Sequence, residues 1–465
     1  MNIKNHSNAS ANGLARRAFL QRAGHLGLAG IATPWALNLA AIGEAAALTA
    51  TDYKALVCVF LYGGNDYGNT VLPVDNANYA RYAAIRTGIA TAQADLAATA
   101  LSPTTALPNG LQLALAPQMT ALKGLFDAGK LAVQLNVGPL IQPTTLAQYN
   151  AKSVPLPPKL FSHNDQQSVW QSSMPEGSTA GWGGKLGDLA LANNSNSVFT
   201  CISVTGNAVY LAGQTAVQYQ VSTNGAVPIT SIKNGLYGSS SCGAALNSLI
   251  TQASTQTLEN EYSKITSRSI SAEGSVTSAL AGISAFSTVY PAGNSLASQL
   301  QMVAKLIAAR STLGAKRQVF MVSMGGFDLH DKLPTLHPGL LTNVSEALGA
   351  FYNTTVELGI SNNVTAFTAS DFGRTLSSNG DGSDHGWGSN HFVLGGAVQG
   401  KQFYGTAPAI AVNGTDDVGQ GRLLPTTSVD QYAATLATWF GVSATELPTV
   451  MPNINNYSLK NVGFI

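Results

Sequence analysis

The stretch "ALVCVFLYGGND", residues 55–66, decides the fold. An unbroken apolar run from Ala55 to Leu61 is closed by Gly63-Gly64, the pattern of a buried strand ending in a tight loop. The same design returns three times. "LAVQLNVG" (131–138) follows the helical "APQMTALKGLFDAGK", "RQVFMVSMGG" (317–326) follows "LASQLQMVAKLIAARSTLG", and "VTAFTASDFG" (364–373) follows "LLTNVSEALGAFYNTTVELG". Helical segments that lead into fully apolar strands predict an α/β protein with a mainly parallel sheet, because a sheet covered on both faces has no polar side to alternate with. In such sheets ligands bind beyond the carboxyl ends of the strands. Three of these strands end in loops bearing Asp or His, and the fourth is soon followed by Ser162-His163.

Composition narrows the function classes. Of the 465 residues only 10% are charged and 45% are hydrophobic, with a formal net charge of +1, so Ser, Thr, Asn and Gln must supply most of the polar surface. With no long basic or acidic run, a nucleic-acid partner is excluded. The first fifty residues differ in kind. Arg16-Arg17, Phe19-Leu20, a mildly apolar Ala/Gly/Leu run and the small residues Ala45, Ala46 and Ala47 predict a twin-arginine export signal over 1–50. The mature chain, 51–465, is then expected in the periplasm or outside the cell, with no transmembrane segment. Of the three cysteines, Cys58 sits in the first apolar run, while Cys201 and Cys242 could pair or stay apart. Residues 196–294 are rich in Ser, Thr, Gly and Asn and are expected to form an insertion, either a cap over a pocket or a peripheral decoration.

The chemistry gathers in a few places. "SDFGRTLSSNGDGSDHGWGSNHF", residues 370–392, holds Asp371, Asp381, Asp384, His385 and His391 in a chain otherwise poor in such residues. Asp66, Asp328 and His330 follow other strands. Divalent ions take carboxylate oxygens, and zinc or manganese takes imidazole as well. A two-metal site needs about six ligands gathered from several strand ends. Asp66, Asp328, His330, Asp371, His385 and His391 meet that need, with His163 and Asp384 in reserve. The ion could be zinc, manganese, calcium or magnesium. Asp328 and His330 are two apart, so an extended backbone points both the same way. Asp381, beside Gly380 and Gly382, reads as turn chemistry. Ser162 is either a nucleophile or a helix N-cap. Arg374 either holds a tetrahedral anion or pairs with a neighbouring Asp. The "GGND" amides could cradle an anion or form a plain turn.

These stretches resemble a known family, the exported DUF1501 proteins. The resemblance rests on "FLYGGNDYGNTVLPVDNANYARY", "LAVQLNVG", "SHNDQQSVWQ", "GGFDLHD" and "SDFGRTLSSNGDGSDHGWGSNHFVLGGAVQGKQFYG", the last being the most specific. It implies membership of the alkaline phosphatase and sulfatase superfamily, with a three-layer αβα sandwich and a metal site at the strand ends. It also implies an order of ligands: Asp66, then Asp328 with His330, then the strand-end Asp371, then His391 at the end. The chain departs from that order where Phe372 follows Asp371, since an Asp-His pair occurs only at Asp384-His385. The expected function is an exported metal-dependent hydrolase of phosphate or sulfate esters, acting on a small molecule or a polysaccharide. Ser162 or a metal-activated water would attack, and Arg374 would hold the anion. The alternative is a non-catalytic envelope protein that keeps the fold to bind a polysaccharide or a protein partner.

Overall fold

The computed structural model describes Leu48 and residues 50–465, so the expected export signal with Arg16 and Arg17 lies outside the described residues. Residues 50–465 form one compact unit. Its strands are β1 (Lys54–Leu61), β2 (Val71–Pro73), β3 (Leu113–Leu115), β4 (Leu131–Gly138), β5 (Cys201–Ser203), β6 (Tyr219–Ser222), β7 (Gly225–Ala226), β8 (Arg317–Met324), β9 (Val364–Ser370), β10 (Ser389–Gly395), β11 (Gln402–Tyr404) and β12 (Thr427–Ser428). The helices of eight residues or more among the described residues are α1 (Asn76–Ile85), α2 (Thr120–Asp127), α3 (His163–Ser172), α4 (Trp182–Ala190), α5 (Ser240–Thr251), α6 (Thr257–Ala281), α7 (Ser295–Ala308), α8 (Leu333–Glu357) and α9 (Val429–Phe440).

The main sheet has ten strands in the order β11-β4-β10-β9-β1-β8-β5-β6-β7, with β12 beside β4. From β9 through β1, β8 and β5 to β6 every pairing is parallel. β10 runs antiparallel between β9 and β4, and the edge strand β7 runs antiparallel to β6. The register explains the apolar runs. Val57 lies beside Phe320 and Ala366, and all three face one core with Leu122, Phe126, Leu300, Val303 and Phe351 of α2, α7 and α8. Cys58 lies beside Phe367 on the opposite face, where the Phe367 ring meets Trp182 of α4 at 5.4 Å and Tyr432 of α9 at 5.8 Å. Helices thus cover both faces, which makes a three-layer αβα arrangement. Neither face of a central strand meets water, so no alternation of polar residues is required.

Part of the 196–294 stretch belongs to the main sheet: β5 pairs with β8, and β6 with β5. Helix α6 from the same stretch packs on β7, α5 and α7. None of the candidate site residues comes from it. All three cysteines are free thiols, with Cys58 and Cys201 buried and Cys242 exposed, so Cys201 and Cys242 do not pair. No helix among the described residues is long and apolar enough to cross a membrane.

Candidate metal centre

Three parallel strands deliver their carboxyl ends to one place. β1 runs into Gly63, whose φ of +115° puts it in backbone space that suits glycine. A side chain there would also collide with the Asp328 backbone nitrogen, so the loop after β1 can lie directly against the loop after β8 only as glycine. The Gly63 amide donates to Asp371 Oδ2 (3.2 Å) and the Asn65 amide to Ser370 Oγ (2.9 Å). Those N–H groups hold the loop together, so "GGND" is a turn that braces β9 rather than an anion cradle. After β9 the chain doubles back: Thr375 N bonds Asp384 O, Gly373 N bonds Trp387 O, and Arg374 bridges His385 as an antiparallel pair. This short ladder returns His385 to the strand end that Asp371 occupies. Asp381 accepts from the Lys332 amide and caps the turn before α8, which is the role expected of it.

The fourth contribution comes from α3. His163 is its first residue, and His163 and Gln167, one turn apart, share a helix face. Both hold Asp371 Oδ2, His163 through Nδ1 at 2.6 Å and Gln167 through its amide at 2.8 Å. That leaves His163 Nε2 directed at Asp328 Oδ2, 3.3 Å away. His385 Nδ1 meets the Phe161 carbonyl at 2.8 Å and must donate to it, and its Nε2 lies 3.2 Å from Asp328 Oδ1. His330 Nδ1 lies 3.1 Å from Asp384 Oδ1, while its Nε2 lies 3.1 Å from Asp328 Oδ1. The Phe372 ring, buried, packs against both His163 (4.8 Å) and His385 (4.6 Å) and fixes their planes.

The consequence is electronic. Each imidazole has its Nδ1 on an oxygen acceptor, so in the neutral ring the proton sits there and Nε2 carries a lone pair. Three lone pairs therefore converge on a carboxylate to which, among these contacts, only Arg374 donates, and His330 Nε2 and His385 Nε2 stand only 2.9 Å apart. Acceptors packed this closely repel unless a cation lies between them. His163, Asp328 and His385 each offer an atom within 4.8 Å of the others, a spacing that a first-row dication can bridge, and His330 adjoins them. The carboxylate–imidazole and carbonyl–imidazole pairs behind them are the supports that metal-binding histidines use. Asp371 Oδ1, fully buried and without a hydrogen-bond partner, adds unbalanced negative charge to the same wall. The donor set fits a divalent metal.

Electrostatics follow from these contacts. The hydrogen bond to Asp371 holds His163 above the usual imidazole range, against the opposing effect of burial. Burial works against the Asp328 charge, but Arg374 and the neighbouring imidazoles outweigh it and keep its carboxyl below the usual range. Burial lowers His385, only partly countered by the Phe161 carbonyl.

Of the six expected ligands, Asp328, His330 and His385 are brought together, and Asp371 stands directly behind His163. His163 itself, held in reserve on sequence, is central. Its signal was the helix start at Ser162 with Gln167 one turn on. Three expected ligands require correction. Asp371 is fully buried and its Oδ2 is taken by His163, Gln167 and the Gly63 amide, so it supports an imidazole and is not placed as a ligand. Asp66 is sealed away: Oδ2 accepts from Arg86 Nη2 (2.7 Å) and Ser383 Oγ (2.6 Å), and Oδ1 from the Asn69 amide (2.8 Å). It caps a helical turn and neutralises a buried guanidinium. His391 lies in β10 and not in the loop before it. Its ring stacks edge-on to Trp170 (4.9 Å), its Nδ1 meets Thr368 Oγ1 (3.1 Å), and burial lowers its pKa to about 3. Arg374 is also corrected as an anion holder. It is fully buried, and its guanidinium donates to Asp328 Oδ1 (2.6 Å), Gly63 O (3.1 Å) and Ser383 O. Ser162 precedes α3 without capping its backbone; its hydroxyl donates to Asp165 Oδ2 at 2.9 Å.

Residues 53–447 match the family described as "Protein of unknown function (DUF1501)". The chain belongs to the DUF1501 family. No curated protein matches the sequence. Among solved structures, this DUF1501 chain is similar to the lipoteichoic acid synthase LtaP from Listeria monocytogenes, at 9% identity over 87% of this chain and 78% of that one, with a TM-score of 0.32. It is similar to the PsFucS1 sulfatase from Pseudoalteromonas sp. at 10% identity, over 86% and 69% of the two chains, with a TM-score of 0.33. An alkaline phosphatase from the Antarctic bacterium TAB5 is similar at 9% identity, over 77% and 95%, with a TM-score of 0.28. These likenesses are distant, and the fold described above stands on its own strand pairing.

Proposed function

We propose that this DUF1501 chain is an exported metal-dependent hydrolase of phosphate or sulfate esters, working in the periplasm or outside the cell. One observation carries the reading: three imidazole Nε2 atoms, each with its Nδ1 already bound, converge on the Asp328 carboxylate at 3.1–3.3 Å. His163, Asp328, His330 and His385 would hold the ion, which would supply Lewis-acid polarisation of an ester oxygen. Asp371, Gln167, the Phe161 carbonyl and Asp384 fix the imidazoles, so the donors need no rearrangement when charge develops. Phe372 packs against the His163 and His385 rings and holds their orientation. Either a metal-activated water or the Ser162 hydroxyl, which donates to the Asp165 carboxylate, would attack.

The second reading, a non-catalytic envelope protein that binds a polysaccharide or a protein partner, is favoured by the burial of Arg374, which leaves that residue unable to reach a substrate anion. One experiment separates the two. The full chain, recovered from the exported fraction, is analysed for bound metal and screened against aryl phosphates and aryl sulfates. The hydrolase reading expects at least one equivalent of metal and turnover that disappears in His163→Ala. Bound metal without turnover on either ester class leaves the binding protein, and less than one equivalent, unchanged by His385→Ala, sinks the hydrolase reading. Replacing Arg16 and Arg17 together by Lys should retain the chain in the cytoplasm; unaltered export would overturn the twin-arginine assignment.

A further inference from the structure

We infer that the centre takes one dication per chain, and that the Arg374 guanidinium is its permanent second positive charge. The inference rests on the metal reading above and concerns stoichiometry, which that reading leaves open. Asp328 is placed as a bridging carboxylate. Its Oδ2 faces His163 Nε2 at 3.3 Å, while its Oδ1 both accepts from Arg374 Nη1 at 2.6 Å and lies 3.1–3.2 Å from His330 Nε2 and His385 Nε2. The remaining acceptors around the guanidinium are the Gly63 and Ser383 carbonyls. Together these are three oxygens, the donor type a hard cation uses. The guanidinium occupies their common focus, and it cannot give up its charge by deprotonation.

Charge counting agrees. The carboxylates in direct contact with the imidazoles or with Arg374 are Asp328, Asp371 and Asp384. Their three negative charges match one guanidinium plus one dication, with all three imidazoles neutral. A second dication would leave two positive charges uncompensated beside a fully buried arginine. The residues that a second ion would need are engaged elsewhere, Asp66 with Arg86 and His391 within the layer under Trp170.

The test is a titration of the chelator-stripped full chain with Mn2+, which accepts both imidazole and oxygen, read by equilibrium dialysis with elemental analysis and by native mass spectrometry. The expected result is one ion per chain in the wild type, one in Arg374→Lys, none in His163→Ala, and a second ion in Arg374→Ala, where the three oxygens are vacated. Two ions in the wild type, bound within about a hundredfold of each other in affinity, would overturn the inference and leave the metal reading intact. No ion in the wild type would overturn the metal reading itself. If Arg374→Ala folds, as judged by its melting transition, and still holds one ion, Arg374 is not the second charge. If it does not fold, the wild-type and Arg374→Lys counts decide, with two ions in either overturning the inference.

Discussion

Asp66 and Asp328 follow neighbouring parallel strands, each in a glycine-rich turn, and each is paired with a buried arginine. One is sealed and the other is open. Asp66 is almost wholly buried, with every oxygen engaged by Arg86, Ser383 and Asn69, whereas the Asp328 side chain is 43% exposed and surrounded by imidazole lone pairs. The histidines divide in the same way. His391 is enclosed between strands under Trp170, and His163 stands at a helix start with one nitrogen braced and the other presented. Proximity to a strand end is therefore not what makes a site. What matters is whether the side chain's partners leave a lone pair facing outward.

Four experiments press on that contrast. The largest effect is expected at the sealed residue. Asp66→Ala leaves the Arg86 guanidinium buried and uncompensated, a loss of about 3–5 kcal/mol of stability by denaturant unfolding. Metal bound per folded chain should not change; a fall in metal content would return Asp66 to the site. Asp328→Ala also strips a carboxylate from a buried guanidinium, that of Arg374, and costs stability, but here metal affinity drops as well, by about a hundredfold or more, since a direct ligand is lost and supporting residues alone are worth 10–100-fold.

Acid separates the histidines next. Burial lowers His391 to about 3, so as pH falls below the ordinary imidazole value the unfolded chain takes up its proton first. Its contribution is present above that value and is lost as pH falls toward about 3. His391→Gln should remove about 2 kcal/mol of the stability decline between pH 6.5 and 5, measured as urea midpoints. His163 is raised, so in metal-stripped protein its bond to Asp371 contributes fully below the ordinary value and fades as pH rises through its raised one. Equal slopes for the His391→Gln and His163→Gln variants would erase the distinction drawn here. The smallest effect is expected for Ser162→Ala, about 1 kcal/mol or less in stability and a few-fold change in turnover. Loss of activity by a thousandfold would make Ser162 the nucleophile after all.

The sequence by itself determined the layers. Apolar runs closed by glycines, alternating with helical stretches, can be satisfied only by strands covered on both sides, and that requirement is local and periodic. It also placed Asp328 and His330 together in the loop after one strand, where a tight turn at Asp328 leaves their side chains 3.1 Å apart. The tertiary structure decided which charged residues look outward, through contacts that span most of the chain: Gly63 to Asp371 across 308 residues, Ser383 to Asp66 across 317, and His163 to Asp371 across 208. Nothing near Asp66 announces that Arg86 will neutralise it, and nothing in "GSNHF" announces that His391 already belongs to a strand between β9 and β4. Likewise Phe372, which breaks the expected Asp-His pair, proves to be the ring on which His163 and His385 both pack. Side-chain identity sets what a group can donate or accept; only the folded chain sets which of its atoms are left unpaired.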